Sequence, residues 1–331
     1  MATPPEGSDI SSREGVRVPD FFIVGHKKSG TTALHQMLRR HRQIFMPELK
    51  EPHFLASDRR PRFPPTKGQR LPATLDEYLA LFADATPGQR AGEASASYLW
   101  SRTAADAIAD LQPKARIIAI LREPASFIRS QHLQFLRIQF EDQKSLRKAV
   151  GLEEDRRRGK HIPRRCPFPQ MILYSDHVHY VEQLRRYHAR LPSEQVLVLI
   201  YDDFRRDNEA TVRRVLEFLD VDAAEPIEAV DANVTTRIVR SQQLDDMLGS
   251  ISSGDGSTSR AAKTVVKGLT TRNMRQRAMR MTRQKVVHSE PPPVDQEFTL
   301  ELQRRFLPEV ESASEYLGRD LVALWGYDKL G

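Results

Sequence analysis

Asp20-Phe21-Phe22-Ile23-Val24-Gly25 is an apolar run of strand length with no polar alternation. Runs of this kind belong to strands covered on both faces, and so to a parallel sheet between helices. This run passes straight into Lys28-Ser29-Gly30-Thr31-Thr32, after which Ala33, Leu34, Met37 and Leu38 recur at helical spacing. A strand, a glycine loop and a helix in that order leave backbone N–H groups at the helix start without internal partners. Such a helix start is a site for an anion.

The same alternation continues along the chain. Ala115–Leu121 and Gln195–Tyr201 read as buried strands, and Pro124 opens a helix expected to run to about residue 140. Further helices are expected over Asp76–Phe82, Met171–Leu191, Asn208–Leu219 and about Val294–Leu317, the last kinked or split at Pro308. Gly92–Trp100 fits a strand or a loop with aromatic anchors. The stretch from Arg59 to Pro72 reads as an irregular loop, and 141–170, with its Arg156-Arg157-Arg158 run, as an exposed, solvated excursion. The fold class expected is α/β: a P-loop-containing parallel sheet flanked by helices, in a single domain. That domain spans 18–331, after a disordered tail (1–17) and with a flexible basic insert at about 249–290.

Composition narrows the function classes. The chain has 331 residues, is 39% hydrophobic and 29% charged, and carries a net charge of +7. These values suit a globular protein. From Gly256 to Ser289 there are nine basic residues and no acid, so the rest of the chain is slightly acidic. The positive balance therefore belongs to one segment and gives no reason to expect nucleic-acid binding. The apolar runs are too short to span a bilayer. The first residues, MATPPEGSDISSREG, lack the apolar core of a secretory leader, so a cytoplasmic location is expected. Cys166 is the single cysteine, read as inert, and the histidines form no metal-binding pattern, so no metal is expected. Oligomeric state is not indicated.

Gly25-His26-Lys27-Lys28-Ser29-Gly30-Thr31-Thr32 nearly fits the nucleoside-triphosphatase loop. However, Thr31 stands where that loop has its lysine, and the lysine comes earlier, at Lys28. Asp202-Asp203 is the nearest candidate for a metal-binding strand end. These departures point to a phosphate ligand other than a Mg·triphosphate. The loop, from Phe22 to Leu34, resembles the 5′-phosphosulfate loop of sulfotransferases. Ile120-Leu121-Arg122-Glu123-Pro124 followed by Ser130 is similar to the site where those enzymes hold the 3′-phosphate of 3′-phosphoadenosine 5′-phosphosulfate (PAPS). Leu197–Phe204, Leu216–Leu219 and Leu317–Leu321 add further likeness, so the resemblance covers nearly the whole chain. It implies a sulfotransferase-like fold and PAPS as co-substrate. It further implies donor binding by Lys27, Lys28, Ser29, Gly30, Thr31, Thr32, Arg122 and Ser130.

Sulfuryl transfer needs a cation at the leaving oxygen and a base at the acceptor hydroxyl. Lys28 is the candidate cation; Glu51 and His53 are the candidates for the base. Lys50-Glu51-Pro52-His53-Phe54-Leu55 is similar to a segment of heparan-sulfate-type sulfotransferases, which places the base at Glu51 with His53 in support. Gly92-Glu93-Ala94-Ser95-Ala96-Ser97-Tyr98 matches a segment reading Glu-Lys-Thr/Ser-Pro-x-Tyr, but here the Lys is Ala94 and the Pro is Ala96. Lys27 is available to compensate for that lysine, and Glu93 to hold the acceptor or pair with a cation. The expected acceptor is a hydroxyl of a carbohydrate, glycolipid or small metabolite. The strip at 260–285 either closes over the donor, faces an anionic membrane or substrate, or is a solvated helix. A nucleotide kinase and a non-enzymatic protein binding anionic ligands or membranes are the competing readings.

Overall fold

The computed structural model describes residues 17–59, 70–228, 238–239, 288–289 and 291–330. The expected tail, most of the Arg59–Pro72 loop and almost all of the basic insert lie outside the described residues. The chain divides into two compact units.

The first unit comprises Met1–Phe127, Asp176–Asn233 and Leu300–Gly331. Its centre is a five-stranded sheet with the order β2-β3-β1-β4-β5. The strands are β1 Phe21–Gly25, β2 Ile44–Phe45, β3 Arg90–Ala94, β4 Arg116–Leu121 and β5 Val196–Ile200, and every pairing is parallel. β1 is central: Phe21 pairs with Gly92 on one side and Arg116 on the other. All five residues of β1 are buried, as an unalternated apolar run requires.

Helix α1 (Thr31–Leu38) packs Leu34, Met37 and Leu38 into one core with Ile23, Ile118, Ile120, Leu197 and Leu199. The helix Asn208–Phe218 adds Val212, Val215 and Leu216 to that core. The long C-terminal helix, Gln296–Leu317, runs through Pro308 without splitting. The lost N–H costs one hydrogen bond, whereas burial of Leu302, Phe306, Val310 and Ala313 holds both halves of the helix in place.

Met171–Leu191 is not one helix, contrary to its apolar spacing. It forms short 3-10 turns at Pro169–Ile172 and Ser175–His177 and then the helix Tyr180–His188. Within the first unit, the His177 carbonyl accepts from the His26 and Gln183 side chains, each at 2.9 Å. The Val181 N–H turns instead to Glu309, at 3.0 Å. Side chains thus take the groups that a continuous helix would pair.

The second unit comprises Ile128–Ser175 and Val234–Thr299. It corrects the expectation of a solvated excursion. Arg156 is 1% exposed and pairs with the equally buried Glu141 at 2.8 Å. Its guanidinium also donates to the Ala149 and Ile172 carbonyls, and Tyr174 donates to Glu141 at 2.9 Å. A buried charge is tolerated only with such partners. Arg157 and Arg158 remain at the surface, as expected. Burial pushes the Cys166 thiol up to about 11, which leaves little reactive thiolate.

Candidate active site

The loop between β1 and α1 has the conformation its glycines allow. Gly30 has φ 87°, and a Cβ there would lie 2.8 Å from the Phe204 ring. Gly25 has φ 143°, and a Cβ would lie 2.9 Å from the Ala96 carbonyl oxygen. No side chain caps the N-terminus of α1, and its first turn carries no acid. The N–H groups of that turn, including Thr31 and Thr32, therefore have no helical acceptor and sit at the positive end of the helix dipole. Ser29 is buried, with its hydroxyl donating to the Lys27 carbonyl at 3.4 Å. Lys28 is half-buried at φ 62°, an unusual backbone state for a non-glycine residue.

Arg122, at the end of β4, joins this loop. Its guanidinium donates to the Lys28 carbonyl at 2.7 Å and to Ser126 Oγ at 2.7 and 3.0 Å. It also lies 4.5 Å from the centre of the Tyr201 ring. Glu123 accepts from the N–H groups of Ala125 and Ser126 and so caps the helix Pro124–Ile138. Ser130 lies on that helix, half-buried, in the part belonging to the second unit. Asp202 and Asp203 are used structurally: Trp325 Nε1 donates to Asp202 at 3.0 Å, and Arg319 pairs with Asp203.

Glu51 and His53 come to this same sheet end. The Glu51 N–H donates to the Ala94 carbonyl at the end of β3, at 3.0 Å. Both residues adopt positive φ, 61° and 54°. Lys50 Nζ is 2.8 Å from Glu51 Oε1, and His53 Nε2 is 3.6 Å from Oε2. Burial alone would raise the Glu51 carboxyl, but the charges of Lys50, His53 and Lys27 hold it well below the usual carboxylate range. Burial lowers His53 to about 4, against the pull of Glu51. Burial also lowers Lys27, whose ammonium feels both Glu51 and Lys50.

Glu93 is fully buried and accepts from the Tyr78 hydroxyl at 3.0 Å, rather than pairing with a cation. Burial pushes it up to about 7, against the opposing effect of the Ser95, Tyr98 and Tyr78 hydroxyls. Ser126, Tyr201 and Ser97 also belong to the site but were not singled out from sequence. Ser97 lies in the Gly92–Tyr98 segment with its Oγ 2.6 Å from His53 Nδ1, and nothing in its spacing marks it as a histidine's partner. Lys50 was visible in the Glu51 segment, though its pairing was not.

The model of the sulfotransferase family matches residues 19–225, more than half of the chain. The chain belongs to the sulfotransferase family. Human carbohydrate sulfotransferase 15 is 31% identical over an alignment of 153 residues that covers 36% of this chain and 27% of that protein. Mouse bifunctional heparan sulfate N-deacetylase/N-sulfotransferase 4 is 29% identical over an alignment of 233 residues that covers 64% of this chain and 24% of that protein. The chain thus spans about a quarter of the length of these relatives. A sulfotransferase from Alicyclobacillus acidocaldarius is similar in structure, with a TM-score of 0.58 and 28% identity. The match covers 75% of this chain and 96% of that one.

Proposed function

We propose that this sulfotransferase moves the sulfuryl group of PAPS to a hydroxyl of a carbohydrate, glycolipid or small metabolite, in the cytoplasm. The two relatives named above are carbohydrate enzymes by name, which supports a sugar acceptor, although one of them is an N-sulfotransferase. The observation that carries the reading is the meeting of Glu51 with the loop that bears Lys27 and Lys28. A carboxylate and a phosphate loop converge there from separate parts of the sequence.

The open N–H groups of α1, with Ser29, Thr31 and Thr32, fit the donor's 5′-phosphosulfate. Arg122 is assigned to its 3′-phosphate. The acceptor oxygen forms a bond to sulfur as the bond from sulfur to the 5′-phosphate oxygen breaks. Glu51 takes the hydroxyl proton, and Lys28 balances the charge left on the nucleotide oxygen. His53 supports Glu51.

Calorimetric titration separates this reading from a kinase. Saturable binding of 3′,5′-phosphoadenosine without binding of Mg·ATP is expected, and the reverse preference would overturn the proposal. Lys28→Ala should then reduce sulfuryl transfer by roughly 10²–10³-fold, the scale of losing one charge-stabilising donor.

A further inference from the structure

Four contacts pin the Glu51–Leu55 segment to the turn that follows β3. The Glu51 N–H donates to the Ala94 carbonyl at 3.0 Å. The His53 N–H donates to Ser95 Oγ at 3.1 Å, and the Leu55 N–H to the Tyr98 hydroxyl at 3.1 Å. The fourth contact joins two side chains: His53 Nδ1 lies 2.6 Å from Ser97 Oγ. His53 is 6% exposed and Ser97 2%, so water does not compete for this bond. The other ring nitrogen, Nε2, faces Glu51 Oε2 at 3.6 Å.

We propose that Ser97 is a positioning residue for the reaction: its hydroxyl donates to His53 Nδ1 and holds the imidazole with its Nε2–H directed at the Glu51 carboxylate. A neutral imidazole has one N–H and one lone pair. A lone pair turned toward the carboxylate would be repelled, whereas an N–H is attracted, so the proton belongs on Nε2. Nδ1 is then the acceptor, and a serine hydroxyl can donate to it. Burial keeps the ring neutral near pH 7, against the Glu51 charge and with Lys27 and Lys50 acting in the same direction as burial. His35 and Glu93 also feel the Glu51 charge. The result is a carboxylate steered from one side: Oε2 faces His53, while Oε1, which Lys50 holds in this structure, is left for the acceptor hydroxyl. Ser97 acts on the chemistry only through His53, and its catalytic consequence rests on the reading of Glu51 as the base.

Nitrogen-15 NMR of the full-length protein with labelled histidine tests the bond directly. At neutral pH, His53 should show a protonated Nε2 and an unprotonated, hydrogen-bonded Nδ1. In Ser97→Ala the Nδ1 resonance should move to that of an unbonded lone pair, with kcat down about tenfold and donor affinity unchanged. Ser97→Thr should restore kcat, while the similarly shaped Ser97→Val should not; this pair separates the hydrogen bond from packing. A wild-type spectrum showing the Nδ1–H tautomer, or equal kcat for the Thr and Val variants, would overturn the proposal. Glu51→Gln provides the separate control. Undiminished turnover in that variant would remove Glu51 as the base, while the tautomer measurement would still decide the role of Ser97.

Discussion

At the scale of single residues, the chemistry of Glu51 depends on what stands beside it. A general base works best when its pKa lies near the working pH. Here burial pushes upward, but Lys50, His53 and Lys27 together win and hold the carboxyl far down. With the Lys50 ammonium 2.8 Å from Oε1, the resting carboxylate is a weak base. Under the proposed role of Glu51 as the base, an acceptor hydroxyl that reaches Oε1 displaces that ammonium, and the carboxylate becomes more basic as it does so. Removing a neighbouring cation disfavours the anion, so Lys50→Met should raise the Glu51 pKa. The acid limb of the kcat/KM profile reports the free enzyme, and it should move to higher pH by about one unit. A profile superimposable on that of the wild type would show that Lys50 does not control the base.

At the scale of elements, the strand–loop–helix unit was legible because each part carries its own local cause. Phe21–Val24 can be buried on both faces, Gly30 can take φ 87°, and Leu34, Met37 and Leu38 share one face of α1. Gly30→Ala tests how firmly the loop is set. It forces a Cβ into the left-handed region and against Phe204, at 2.8 Å. We expect a loss of about 1–3 kcal/mol in urea unfolding, with weaker binding of 3′,5′-phosphoadenosine. An unchanged midpoint would mean that the loop relaxes without strain. The Lys50-Glu51-Pro52-His53 segment was legible by likeness alone. Its positive φ values and its bonds to the turn after β3 come from chain far away in sequence. The Arg156 run was misread for the same kind of reason. Three consecutive arginines look solvated until Glu141 and two carbonyls surround the first of them. Likewise, nothing local in Met171–Leu191 shows that His26 and Gln183 occupy the His177 carbonyl. Local propensity was readable from sequence, whereas long-range partners were not.

At the scale of the molecule, the buried titratable groups set how stability follows pH. Burial lowers His26, His35 and His53 to about 4 in the folded protein, while the unfolded chain binds the same protons near 6.5. Between those values the unfolded state holds more protons, so stability is lost as pH falls from 6.5 toward 4. Glu51 acts in the same sense at lower pH: its folded pKa is depressed, so its contribution disappears as pH falls below its ordinary value. Glu93 acts the other way. Its folded pKa, about 7 against 4.5, means that the folded state holds the extra proton, and stability declines as pH rises between those values. His132 acts in the same sense as these histidines, and Glu123 and Glu309 in the same sense as Glu93, so the opposing sets partly offset one another. Glu93→Gln isolates the opposing contribution. At pH 5 the folded wild-type carboxyl is protonated and only a small part of its contribution has been lost, so the amide should move the unfolding midpoint little. At pH 8 the wild type must ionise a fully buried group beside Tyr78, whereas the amide does not. Its stability advantage over the wild type should therefore build up as pH rises from about 4.5 to 7 and level off above pH 7. Unfolding midpoints for both proteins at pH 5 and pH 8 decide the matter. An equal difference at the two pH values would show that Glu93 does not titrate in this range.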